Sequence, residues 1–172
     1  MELYADQGFE KTTVAEIAHG AGLTERTFFR YFDDKREVLF AGAAELQELL
    51  VAAVANVTET NTPLGVVARA LESMNPFFES RRSGAQLRQS VINANTELQE
   101  RELIKLAALA AALAGALRER GVREPAATLA SEAGVVVFRL AFDAWVQPDN
   151  TGDLTQALRN GFAQLADVTS AQ

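Results

Sequence analysis

Cysteine is missing from the 172-residue chain, which excludes a disulfide framework, a thiolate metal centre and a cysteine nucleophile. Histidine occurs once, as His19, with no visible catalytic partner and no Glu-x-x-His pattern around it, so a di-metal bundle site has no ligands. No glycine-rich phosphate loop is present. Alternating β-branched runs are absent too, which leaves almost nothing to build a sheet. The apolar runs are interrupted by charges such as Arg139 and Asp143, short of the roughly 18 residues that a membrane span needs, and no basic-plus-apolar leader opens the chain. The expectation is an all-α cytoplasmic protein that is not an enzyme, with no membrane contact, metal or cofactor.

With 48% hydrophobic residues the chain can bury a sizeable core. Its net charge of −7 opposes nucleic-acid binding by the chain as a whole. Phosphate binding depends on local charge and aligned helix ends, however. Between Thr24 and Arg36 four basic residues (Arg26, Arg30, Lys35, Arg36) stand against three acidic ones.

That segment lies in the most informative stretch, Thr13 to Leu39. Thr13 with Glu16 three residues on forms a capping box, so a helix starts there. It ends near Gly20, and Ala21-Gly22-Leu23 supplies a tight turn in which Gly22 is free to take a positive φ. Thr24 caps a second short helix. At about 100° per residue Phe28 and Phe32 share one face of it and, with Ile17, Leu23 and Leu39, would form a small core. Arg26, Thr27 and Arg30 fall on the opposite face, flanked by Phe29 and Tyr31, a set suited to phosphates and base edges. Asp34 and Glu37 cap a third helix, with Lys35 in its first turn.

The run Gly8-Phe9-Glu10-Lys11-Thr12-Thr13-Val14-Ala15-Glu16-Ile17-Ala18, then Ala21-Gly22-Leu23-Thr24, then Phe28-Phe29-Arg30-Tyr31-Phe32 and Lys35, resembles the DNA-binding domain of TetR-family transcriptional regulators. The resemblance covers about the first quarter of the chain. It implies an all-α homodimer with a small-molecule pocket in its C-terminal domain. It also implies that Thr13, Thr24, Thr27, Phe29, Arg30, Tyr31 and Lys35 contact DNA, while Phe28 and Phe32 are buried. Phe29 stands where the family usually has Tyr, so one phosphate-directed hydroxyl is absent. The opening Met1–Asp6 resembles the second half of the family's first helix. That leaves two readings, further residues upstream or a protein that works without those contacts.

The spacing divides the chain into a head, residues 1–42, and a second helical domain, residues 43–172, with roughly nine helices in all. One long helix is expected from Asp34 to about Ala55, then a polar loop over residues 56–62. Further helices follow over Pro63–Glu79 (bent near Pro76), Ala85–Asn95, Thr96–Arg120, Pro125–Gln147 and from Asp153 to about Ala166. The stretch Ala133–Val146 is apolar nearly all round and must be buried on more than one side. Together with the stripe Leu154, Leu158, Phe162 and Leu165, and with Val136 and Leu140, it suits a four-helix dimer interface. Met74, Phe77, Phe78, Val91, Phe138, Phe142 and Trp145 are candidates for an apolar ligand pocket, with Asn75, Gln89, Asn93 and Arg139 as polar additions; such a set is also what an ordinary core contains.

The function expected is a ligand-responsive regulator, a repressor released from a palindromic double-stranded DNA operator by a small apolar molecule. The alternative is a regulator-like helical protein that has lost DNA binding and acts through protein partners.

Overall fold

The computed structural model describes residues 1–58, 60 and 62–170. Part of the expected polar loop, Glu59 and Asn61, therefore lies outside the described residues. Those described form ten α-helices and one 3-10 helix. They are α1 (Glu2–Gln7), α2 (Val14–Gly20), α3 (Glu25–Tyr31), the 3-10 helix (Lys35–Phe40), α4 (Ala43–Asn56), α5 (Pro63–Glu72), α6 (Asn75–Glu79), α7 (Arg82–Asn93), α8 (Thr96–Glu119), α9 (Ala126–Trp145) and α10 (Leu154–Ser170). The fold class is all-α, as expected.

Three boundaries differ from expectation, each for a local reason. The helix expected from Asp34 to Ala55 is two elements. Tyr4 donates to the Lys35 carbonyl and Arg88 to the Leu39 carbonyl, so side chains take acceptors that an α-helix would use four residues on. Ala41 (φ −54°, ψ −34°) and Gly42 (φ −82°, ψ −3°) keep the chain near helical geometry while the pitch changes. The helix expected over Pro63–Glu79 breaks at Ser73–Met74. Pro76 has no N–H to continue the ladder, and it sits instead in the first turn of α6, where none is needed. Finally, α7 starts at Arg82 and includes Gly84. The Arg82 guanidinium donates to the carbonyls of Trp145, Asn150 and Gly152 and lies over the Trp145 ring, and this tertiary anchor outweighs local propensity.

The main core gathers Leu50 and Val54 of α4, Val67 and Leu71 of α5, Leu113 and Leu117 of α8, and Trp145 of α9. Leu154 and Leu158 of α10 are completely buried in it (0% exposed), and Phe162 and Leu165 pack against it. Burial removes Leu154 and Leu158 from the expected interface, because this part of the α10 stripe is used inside its own chain. Gly161 permits the approach of α10 to α9, since a Cβ there would meet the Val137 side chain at 2.8 Å. Gly134 does the same for α9 on α5, where a Cβ would stand 2.3 Å from Val67 Cγ1.

A second cluster joins the head to the body: Tyr4, Phe9, Leu39 and Phe40 pack with Val91, Ile92 and Leu98 of α7 and α8. Phe28 is buried as expected, but Leu23 is 45% exposed and is no part of a head core. By length and composition the stretch Lys35–Asn56 is apolar enough to cross a membrane. Here it is split at Gly42, carries Glu37 in ion pairs, and packs Leu50 and Val54 into the protein.

Candidate nucleic-acid interface and cavity

The recognition unit is assembled by two caps and one glycine. The Thr13 hydroxyl accepts from the Glu16 N–H (3.2 Å), and the Glu16 carboxylate accepts from the Thr13 N–H (2.8 Å) and hydroxyl (2.8 Å), completing the capping box. The backbone bond from Thr13, then its hydroxyl, holds the Glu16 carboxyl below the usual range. Gly22 takes φ +69° in the turn. Thr24 caps α3 by accepting from the Thr27 N–H (3.2 Å), and the two hydroxyls lie 3.0 Å apart. Thr13 and Thr24 thus have structural work whether or not they touch DNA.

The outer face of α3 is what the fold leaves unused. Phe29 is 54% and Tyr31 65% exposed, and Arg26 and Arg30 are exposed as well. The Arg30 guanidinium donates to the Tyr31 hydroxyl (2.9 Å) and lies 4.8 Å from the centre of its ring. Two aromatic rings in water, next to two arginines, give this helix a surface with no role in folding.

Lys35, for which the resemblance implies a phosphate contact, is engaged within the head. Its ammonium donates to the carbonyls of Phe9 (2.7 Å), Glu10 (3.1 Å) and Thr12 (3.1 Å), and stands 4.4 Å from the centre of the Phe9 ring. Three donor protons meet three acceptors, so none remains for a phosphate. Beside it, burial first and then the charge of Asp34 push the Tyr4 phenol well up, and it stays a donor to the Lys35 carbonyl.

Behind the head a cavity of about 590 Å³ opens between the 3-10 helix, the start of α4, α6, α7, α8 and α9. Of the expected pocket residues, Phe77, Phe78, Phe138 and Phe142 line it, with Gln89 and Arg139. Three do not. Val91 is in the head–body cluster, Met74 packs against the main core, and Trp145 is fully buried with its indole N–H donated to Glu79 (3.0 Å). Trp145 does touch the cavity's aromatic wall, its ring 5.6 Å from that of Phe142 and 6.3 Å from that of Phe78. Neither Asn75 nor Asn93 lines the cavity, and the Asn75 side-chain oxygen Oδ1 is buried without a hydrogen bond.

Sequence reasoning missed the charged wall: Arg88, Glu102 and Lys105. Arg88 donates to Glu102 (2.9 Å) and to the Leu39 carbonyl (2.7 Å), and Gln89 donates to Glu102 (3.1 Å). Lys105 donates to Glu37 (3.0 Å), whose other oxygen takes Arg101 (2.7 Å). These residues lie 49 to 68 positions from their partners in the head, so no local spacing could announce them. Burial first, then the charge of Glu102, pushes the Asp143 carboxyl up, against the pull of Arg139.

Glu37 yields a pH prediction. Burial opposes its charge, but the bonds from Lys105 and Arg101 win and hold its carboxyl below the usual range. A lowered folded-state pKa stabilises fully above the ordinary value of about 4.3 and is lost as pH falls through the lowered one. The Glu37→Gln variant should therefore melt below the wild type near neutrality, with the gap closing as acid is added. Parallel melting curves down the whole acid range would contradict this.

The arrangement, a capped helix-turn-helix with an arginine- and aromatic-bearing outer face mounted on a helical body, defines a DNA-binding transcriptional regulator. Residues 1–41 match the family model described as bacterial regulatory proteins, tetR family. The chain is 28% identical over 171 residues to the putative mycofactocin biosynthesis transcriptional regulator MftR of Mycobacterium tuberculosis, covering 94% of this chain and 83% of that one. It is 34% identical over 74 residues to the HTH-type transcriptional regulator TcmR of Streptomyces glaucescens, a match that spans 43% of this chain and 33% of that relative. Among solved structures it is similar to FadR of Thermus thermophilus, a TetR-family transcriptional repressor in complex with lauroyl-CoA, with a TM-score of 0.52 and 25% identity over 96% of this chain and 88% of that one. The first 41 residues thus match the DNA-binding domain of TetR-family regulators, and the chain over nearly its whole length is similar to a transcriptional regulator.

Proposed function

We propose that this protein is a cytoplasmic, homodimeric repressor that binds a near-palindromic operator through α3 and leaves it when a small, largely apolar molecule enters the cavity. The observation that carries the reading is the exposed set Arg26, Phe29, Arg30 and Tyr31 on α3, with the half-buried Thr27 beside it. The position of the cavity supports the response to a ligand: its wall includes Leu39, Phe40 and Gly42, where the head, residues 1–42, passes into the second domain. The size supports it too, since ligand pockets commonly enclose roughly 300–1,000 Å³. The similar FadR was captured with lauroyl-CoA. A dimer would place two recognition helices in major grooves about 34–36 Å apart, one turn of the duplex. A ligand shifts this equilibrium only by its preference for the DNA-incompetent state.

Selection from random duplexes tests the reading and should return a sequence with two-fold symmetry. Against that sequence Arg26→Ala should weaken binding and relax discrimination by about 1–3 kcal/mol at one base pair per half-site. A wild-type protein that retains no preferred duplex at low salt is the result that would overturn DNA-directed repression in favour of action through protein partners.

A further inference from the structure

We infer that the effector carries an anionic group, a carboxylate, on its apolar body, and that this group acts by drawing Arg88 and Lys105 away from the 3-10 helix. The inference rests on the ligand-responsive reading above and adds the ligand's chemical class and the residues that transmit its presence.

The cavity has two kinds of wall. One is the aromatic cluster of Phe77, Phe78, Phe138 and Phe142, with ring centres 5.3 to 5.7 Å apart between neighbours. The other is charged and leans positive. Four basic side chains line the space, Arg81, Arg88, Lys105 and Arg139, against the acids Glu45, Glu102 and Asp143. The carboxylate that pairs with Lys105, Glu37, does not line the cavity. Arg139 makes no hydrogen bond among the described residues. A chain of net charge −7 has thus gathered an excess of cations around this apolar hollow.

Two of those cations also hold the head. Arg88 is three-quarters buried, donates to the Leu39 carbonyl and to Glu102, and stands 5.0 Å from the Phe40 ring centre. Lys105 donates to Glu37. Leu39, Phe40 and Glu37 all belong to the 3-10 helix, the element between the recognition helix and α4. A carboxylate in the cavity is a stronger acceptor for Arg88 than the neutral Leu39 carbonyl, and for Lys105 it is a second anion competing with Glu37. Turning toward that carboxylate carries Arg88 Nε off the Leu39 carbonyl and draws Lys105 from Glu37, so occupancy frees the Leu39 carbonyl and loosens the Glu37 ion pairs. A neutral ligand of equal shape fills the aromatic end and leaves this fastening intact.

The test uses the full chain with three matched probes: 6-phenylhexanoate, 6-phenylhexanol and 6-phenylhexylammonium. Fluorescence of Trp145, the one tryptophan, reports binding; hydrogen exchange of the Lys35–Phe40 amides reports the head, and affinity for the selected duplex reports function. The carboxylate should bind at least about tenfold more tightly than the alcohol, the scale of one charge-assisted hydrogen bond, and it alone should speed exchange and weaken DNA binding. Arg88→Gln should exchange fast without ligand, lose that tenfold preference and respond no further, while Arg88→Lys should recover part of it. Should Arg88→Gln not fold, Lys105→Met carries the same expectation for preference and response. Equal action by alcohol and carboxylate overturns the anionic trigger but leaves ligand-responsive repression standing. Preference for the ammonium probe, binding of the carboxylate without faster exchange, or no binding by any probe overturns the inference as well, and the duplex affinity measured without probe keeps DNA binding as a separate question.

Discussion

Lys35→Met should loosen the head enough to abolish operator binding near body temperature while leaving the rest of the protein folded. The side chain fits the same space, but three carbonyls, those of Phe9, Glu10 and Thr12, lose their common donor. Hydrogen bonds to a charged group are worth about 1.5–3 kcal/mol each; three sharing one half-buried ammonium suggest a total of about 2–4 kcal/mol. That is a large share of what holds so small a unit, with helices of six or seven residues each. Two measurements separate this from the loss of a phosphate contact. A lost contact lowers the slope of log affinity against log salt by about 0.9 and leaves folding alone. A lost clamp leaves the slope unchanged and speeds hydrogen exchange through residues 8–13. A shallower salt slope with wild-type exchange would return Lys35 to the DNA surface.

The local devices of the head were legible in the sequence because each is complete within a few residues. Thr13 and Glu16 form their box, Gly22 takes the positive φ, and Thr24 caps α3. The internal bonds of Lys35 were not legible because its partners sit 23 to 26 residues earlier, and a lysine in a first turn looks the same whether it faces a phosphate or a loop. The break at Gly42 had a glycine to announce it, yet its cause, the capture of the Lys35 and Leu39 carbonyls by Tyr4 and Arg88, is tertiary. Four aromatic residues of the cavity were found by periodicity, since each lies on the inward face of its helix. Trp145 satisfies the same pattern but points into packed interior, and Val91 packs instead in the head–body cluster. Periodicity tells which side of a helix is buried, not whether the space behind it is filled.

The same ambiguity governs α9 and α10, where it fixes which substitution should split the proposed dimer. Leu158 looks like an interface residue in sequence but is fully buried in its own chain, and Phe162 packs partly buried against the same core. The outward apolar stripe is on α9: Leu129 is 65%, Val136 47% and Leu140 58% exposed. They recur at intervals of seven and four, so they stand on one face of the helix, and the exposed Ala144 extends it. Scattered exposed leucines need no explanation, but a continuous stripe calls for a partner. The expected partner is the same stripe of a second subunit across a two-fold axis, each chain contributing α9 and α10. Leu140→Glu should then yield a folded monomer. Symmetry places the unpaired charge in the interface twice, and at about 2–3 kcal/mol per copy the dimer weakens by roughly a thousandfold or more. Operator affinity should fall with it, because a monomer reaches only one half-site. Phe162→Glu should instead lower the melting temperature of the subunit itself, since its ring packs on the core. Sedimentation and circular dichroism of both variants decide the matter. A wild-type chain that sediments as a monomer at micromolar concentration, or a Leu140→Glu chain that remains a dimer, would place the interface elsewhere.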